Sequence, residues 1–165
     1  MTQPLNLNDA LKQAIQTEKD VMDFYKRAAE ATQNSQGKKV FETLAKDEYE
    51  HAGHFFHVYP GTDLGAFEDF MKRPPSAGLA LHANLEKALA AGGSERQAME
   101  IAMKEEQKLE KDLLDTAARI SDPKIKAVFE KMAKETNHHY QIIESEYARI
   151  MGMVHETDIN TFVRE

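Results

Sequence analysis

The chain has 165 residues, 41% of them apolar and 30% charged, with a net charge of −7. That is enough apolar material for a buried core and too much for a disordered chain, and the negative balance disfavours nucleic acid and anionic membranes as partners. The absence of cysteine excludes disulfides, thiol catalysis, thiolate zinc sites and a four-thiolate iron centre.

The N-terminal stretch has no basic segment followed by an apolar run, and no stretch approaches the ~20 apolar residues of a membrane span. The expectation is one domain over 1–165, located in the cytoplasm.

The first hairpin is expected over 8–58. Its first helix begins near Asn8 or Asp9, where an Asx side chain can cap free N–H groups. Leu11, Ile15, Met22, Tyr25 and Ala29 recur at spacings of three and four, an amphipathic stripe, and Glu18 falls on it. A turn over 33–37 leads to a second helix over 38–58, with the stripe Phe41, Leu44, Glu48, His51, Phe55. Pro60 and Gly61 end that helix.

The segment 59–93 carries Gly65, Pro74-Pro75, Gly78 and Gly92-Gly93. It reads as a crossover with short helical pieces over 66–71 and 85–91. The second hairpin is expected over 94–152. Ser94 to Gln97 has a capping-box pattern, followed by the stripe Met99, Ala102, Glu106, Leu109, Leu113, Ala117. Ser121-Asp122-Pro123 stops this helix and starts the last one, because proline suits a first helical turn. The last stripe is Phe129, Met132, Thr136, His139, Ile143, Tyr147, and Gly152 ends or bends the helix. The tail 153–165 is polar, with Ile159 and Phe162 as docking points. Short turns within each pair of helices and a long link between the pairs predict an all-α, antiparallel four-helix bundle of two hairpins.

The two hairpins repeat one another at an offset of 88 residues. VFETLAKDEYEH at 40–51 aligns with VFEKMAKETNHH at 128–139, with six of twelve positions identical and Asp47 opposite Glu135; the same offset pairs Glu18 with Glu106. Each half therefore offers a carboxylate and, about thirty residues later, a histidine patch on a core-facing stripe. An unpaired carboxylate in an apolar core costs several kcal/mol, and no Lys or Arg lies on the first two stripes to neutralise these. A lone E-x-x-H is common on helix surfaces, but here the pattern lies on an apolar stripe, repeats, and has an upstream glutamate each time. Glu48 and His51, three residues apart, can reach one ion or an adjacent pair. Carboxylates with one imidazole per ion suit iron or manganese, and zinc tolerates them. Tyr25 can hydrogen-bond a ligating carboxylate. His54 and His57 lie off the stripe and are assigned to the surface.

These residues carry a resemblance. AIQTEKDVMDFY at 14–25, AMKEE at 102–106 and the two repeated segments resemble the rubrerythrin branch of the ferritin-like di-iron carboxylate proteins, over roughly 8–152. The resemblance implies a ferritin-like fold and two iron ions, with Glu18, Glu48, His51, Glu106 and His139 as the matching ligands. One position departs: the carboxylate that bridges the irons in that family falls on Thr136. In this register Glu135 lies about 100° around the helix, and its loss should change little. The alternative, Glu135-x-x-His138, restores the spacing one residue earlier.

The resemblance further implies a carboxylate-bridged di-iron oxidoreductase that reduces peroxide or dioxygen, or oxidises Fe(II), with electrons from an external donor protein. A homodimer is expected, with Phe67, Phe70 and Met71 of the crossover as an apolar surface. A second reading is a non-catalytic metal-binding or interaction bundle in which Thr136 marks a degraded site.

Overall fold

In the computed structural model, which describes residues 4–154, six helices are present: α1 (Leu7–Ala31), α2 (Ser35–Val58), α3 (Phe67–Met71), α4 (Ala80–Ala90), α5 (Glu95–Ala118) and α6 (Pro123–Val154). The four long ones form the expected all-α bundle. α1 packs along α2 and α5 along α6, each pair closed by a short turn.

End-to-end contacts fix the antiparallel sense. Lys12 near the start of α1 meets Asp63 just beyond the end of α2 at 2.6 Å, and Glu95 at the start of α5 lies 3.6 Å from Arg149 near the end of α6. The hairpins face each other through α2 and α6, which also run antiparallel: Phe55 meets Phe129 at one end, and Gln36 donates to Glu146 at the other.

The core follows the stripes. Leu11, Ile15, Met22, Tyr25, Phe41, Leu44, Phe55, Met99, Leu109, Leu113, Phe129, Met132 and Ile143 are all buried. Local chemistry sets the helix ends, in places differently from expectation. α1 is capped by Asn6, whose Oδ1 accepts the Asp9 N–H at 3.0 Å, so it begins at Leu7 rather than near Asn8 or Asp9. α2 begins at Ser35, with Asn34 accepting from the N–H of Gly37. Gly37 is therefore part of the first helical turn, not of the connecting loop. A Cβ there would meet the Glu95 carboxylate, the mobile end of a side chain that would have to swing aside. The Ser94–Gln97 capping box forms as expected. α6 continues past Gly152 to Val154. The tail's expected docking points, Ile159 and Phe162, lie outside the described residues.

The crossover is packed on the bundle. Phe70 and Met71 are 2% and 3% exposed, and Phe67 packs on Tyr49 and Phe56 of α2. The association surface expected at these residues is thus corrected: α3 turns its apolar side inward onto the first hairpin. Further along, α4 buries Leu81 and Leu85. The flank of α1 beneath the crossover carries polar groups. Lys19, 2% exposed, pairs with Asp23 at 2.6 Å and reaches toward the Pro74 carbonyl oxygen. Ser76 Oγ donates to Asp20 Oδ1 at 2.8 Å, and His82 Nε2 lies 2.8 Å from the Asp20 carbonyl oxygen.

Candidate metal centre

The five residues singled out as ligands, Glu18, Glu48, His51, Glu106 and His139, converge between the hairpins, and none is more than 4% exposed. They arrive from four different helices because each stripe faces the shared core.

Glu48 is at the middle. Its Oε1 lies 2.8 Å from His139 Nδ1 and its Oε2 3.6 Å from His51 Nδ1. Glu18 Oε2 flanks His51 Nδ1 at 3.6 Å, and Glu106 Oε1 flanks His139 Nδ1 at 3.8 Å. Ligand atoms of Glu48, His51 and His139 all fall within 4.8 Å of one another. The result is two half-sites, Glu18 with His51 and Glu106 with His139, sharing one carboxylate that presents a different oxygen to each. The imidazoles stack with centroids 4.9 Å apart.

The cage fits hard cations. Both oxygens of Glu18, Oε2 of Glu48, Oε2 of Glu106 and Nδ1 of His51 are buried and have no hydrogen-bond partner. Buried polar atoms are rarely left so, and oxygen donors with imidazole nitrogen are what iron, manganese or zinc accept.

The cage groups also shift one another's proton affinities. Burial alone would lower both imidazoles. Glu18 and Glu48 instead raise His51 to about 10, and Glu106 and Glu48 raise His139 to about 11. Burial would raise Glu48, but its contacts with Glu18 and the two histidines hold it below the usual carboxylate range. Glu18 is pushed well above that range, first by burial and then by the charge of Glu48, and Glu106 is pushed to about 7 by the same causes.

The histidines are also gripped from outside, crosswise. Asp47 of α2 approaches His139 Nε2 at 3.2 Å, and Glu135 of α6 approaches His51 Nε2 at 3.1 Å. Each carboxylate precedes the Glu48 position of its own helix and holds the histidine of the opposite one. Engaging Nε2 directs Nδ1 of both rings into the cage. Here the expectation is corrected. Glu135 is not a bystander, because its long side chain reaches over the α2–α6 interface. The sequence carried a signal for this pair, since Asp47 and Glu135 are equivalents at the 88-residue offset.

The register of α6 is the ungapped one. Thr136 is fully buried and His138 exposed, with the Thr136 hydroxyl donating to the Met132 carbonyl oxygen at 2.7 Å. At the counterpart of Glu48 there is therefore no carboxylate. The halves differ a second time at Tyr25, whose hydroxyl donates to Glu106 Oε1 at 2.5 Å. Its counterpart at the same offset is Leu113, which cannot donate to Glu18. His54 and His57 are exposed, and His82 is engaged by the α1 backbone. No helix among the described residues is long and apolar enough to cross a membrane.

The family model described as Rubrerythrin matches residues 9–147. A curated relative, the uncharacterized protein YhjR of Bacillus subtilis (strain 168), is 43% identical over 54 residues, which is 33% of this chain and 37% of that protein. The chain thus matches little more than a third of that relative's length. No solved structure matches the chain.

Proposed function

This chain belongs to the rubrerythrin family, and from that premise we propose that it is a di-iron oxidoreductase that reduces peroxide or dioxygen, or oxidises Fe(II). One observation carries the reading: the two oxygens of Glu48 face two different histidines, each backed by its own glutamate. That is the donor set for two ions sharing a carboxylate. Glu18, Glu48 and His51 would hold one, and Glu106, Glu48 and His139 the other. Bound iron supplies the electron transfer and the activation of the O–O bond.

The protein's own groups do the rest. Asp47 and Glu135 orient the imidazoles, and Tyr25 holds a proton on Glu106 Oε1. Phe41, Leu44, Phe55 and Phe129, all at most 1% exposed, line the core in which the cage is set. Three carboxylates set −3 against the +4 of two divalent ions, so the second ion to enter is held more weakly than the first. These 165 residues hold no cysteine for a thiolate iron centre, and the source of reducing electrons we propose is an external donor protein.

The assembly we propose is a cytoplasmic homodimer.

The second reading, a binding-only bundle, rests on Thr136. Anaerobic loading with Fe(II) followed by peroxide separates the two. An oxidoreductase consumes peroxide in proportion to bound iron, and a binding-only bundle retains its iron as Fe(II). Metal analysis finding no iron, manganese or zinc after loading would remove both.

A further inference from the structure

The cage must be filled from outside, and one cavity in the structure touches two of its ligands. It has a volume of about 160 Å³ and lies in the α2–α6 cleft, and its lining includes the buried His51 and His139. Its walls are Asp47, Glu50 and His54 from α2, and Glu135 and His138 from α6. Three carboxylates and two further imidazoles, with no lysine or arginine among them, give the cleft a negative wall of the donor types that a divalent cation accepts. Nothing in the cage uses Glu50, His54 or His138, which are all exposed.

We propose that this cleft is a loading station: an outer, weaker binding place for a divalent cation, from which the ion passes to the buried cage. The proposal rests on the cage reading above and adds the path into it. The stacked rings, 4.9 Å apart, form the partition between cleft and cage. An ion can pass only if one ring turns. The groups that hold the rings still, Asp47 on His139 and Glu135 on His51, are also cleft walls, 36% and 41% exposed. A cation drawn to either carboxylate competes with the ring for its oxygen and loosens the ring in its way. Capture and gate opening are thus the same contact. The imidazole partition has its orphaned His51 Nδ1 on the far side, facing the oxygens that receive the ion.

A station on the path changes the rates of filling and emptying together and leaves the equilibrium content of the cage unchanged. The test uses Co(II), whose visible absorption reports coordination, mixed in a stopped-flow instrument with the full chain. His54→Ala/His138→Ala is expected to load at least tenfold more slowly than wild type at micromolar cobalt, and to reach the same final content in equilibrium dialysis. Loading within twofold of wild type would overturn the proposal. Wild type that takes up no cobalt in dialysis would instead overturn the cage, and the loading role with it.

A second measurement needs no filled cage. In Glu48→Gln, zinc added to the protein should move the imidazole NMR resonances of His54 and His138. Zinc that leaves both unmoved, while circular dichroism shows the variant folded, would overturn the station.

Discussion

Thr136→Glu restores the carboxylate absent opposite Glu48, and its effect can be sized from the structure. The position is fully buried and its hydroxyl is committed to the Met132 carbonyl oxygen. A new carboxylate there has no solvent. Two unit charges 4 Å apart attract by about 4 kcal/mol at an effective dielectric of 20, so a carboxylate and a divalent ion attract by about 8 kcal/mol. Burial of the carboxylate opposes this by several kcal/mol. A net gain of about 3 kcal/mol for the second ion corresponds to roughly 100-fold tighter binding.

The metal-free variant has the burial cost without the ion. It should melt below wild type by about 5 °C or more, at roughly 2–4 °C per kcal/mol for a chain of this size. Cobalt titration followed by absorption, with thermal melts before and after loading, reads both effects. Second-ion affinity and metal-free melting temperature both equal to wild type would mean that position 136 does not face the cage, and the reasoning from the repeat would fail.

Tyr25→Phe removes the one hydroxyl on Glu106, and loss of a hydrogen bond to a charged group should cost about 1.5–3 kcal/mol, read as weaker binding at the Glu106–His139 position and little change at the other; equal weakening of both positions would contradict the assignment. Glu135→Ala and Asp47→Ala should each lower cobalt affinity about 10–100-fold by freeing His51 and His139 respectively, and unchanged affinity in both would show that the outer carboxylates do not position the rings. Because His51 and His139 are raised to about 10 and about 11, both hold protons at neutral pH that an ion must displace, so affinity should rise with pH across 6 to 8, about tenfold per unit for each proton displaced; a flat profile, or no proton release into a weakly buffered dye solution, would refute this. Glu48→Ala should lower metal content well below Glu50→Ala, since only Glu48 is inside the cage, and equal losses by elemental analysis would remove Glu48 from its central place.

The long helices were legible because each has a strong apolar stripe, and the convergence of the five buried polar residues because a polar residue on such a stripe must have a reason to be there. The repeat placed Thr136 and His139 correctly where E-x-x-H spacing alone would have chosen Glu135 and His138. Boundaries were less legible. Asn6, Asn8 and Asp9 are all competent caps, and only backbone geometry selects Asn6. Gly37 reads as a turn residue from composition, yet the Asn34 cap places it in the first turn of α2. The inward turn of Phe70 and Met71 could not be read either, since a five-residue helix is too short for periodicity to show which side is covered. The outer hold on the histidines depends on how far the Glu135 side chain reaches across an interface, a distance that no angle on a single helix reports.

The polar seam between the crossover and α1 bears on how the molecule comes apart. A stretch with paired prolines and three glycines at positive φ would ordinarily fray first, exposing its amides to exchange at little cost. Here, lifting it away would strip cover from the buried Lys19–Asp23 pair and from Asp20, would expose its own Leu81 and Leu85, and would break the bidentate Arg27–Glu86 contact. Lys19 and Asp20 are the residues that follow Glu18. The segment that looks most like a loose strap therefore belongs to the same cooperative unit as the cage, and its amides should exchange with the slow class of the bundle rather than with its ends.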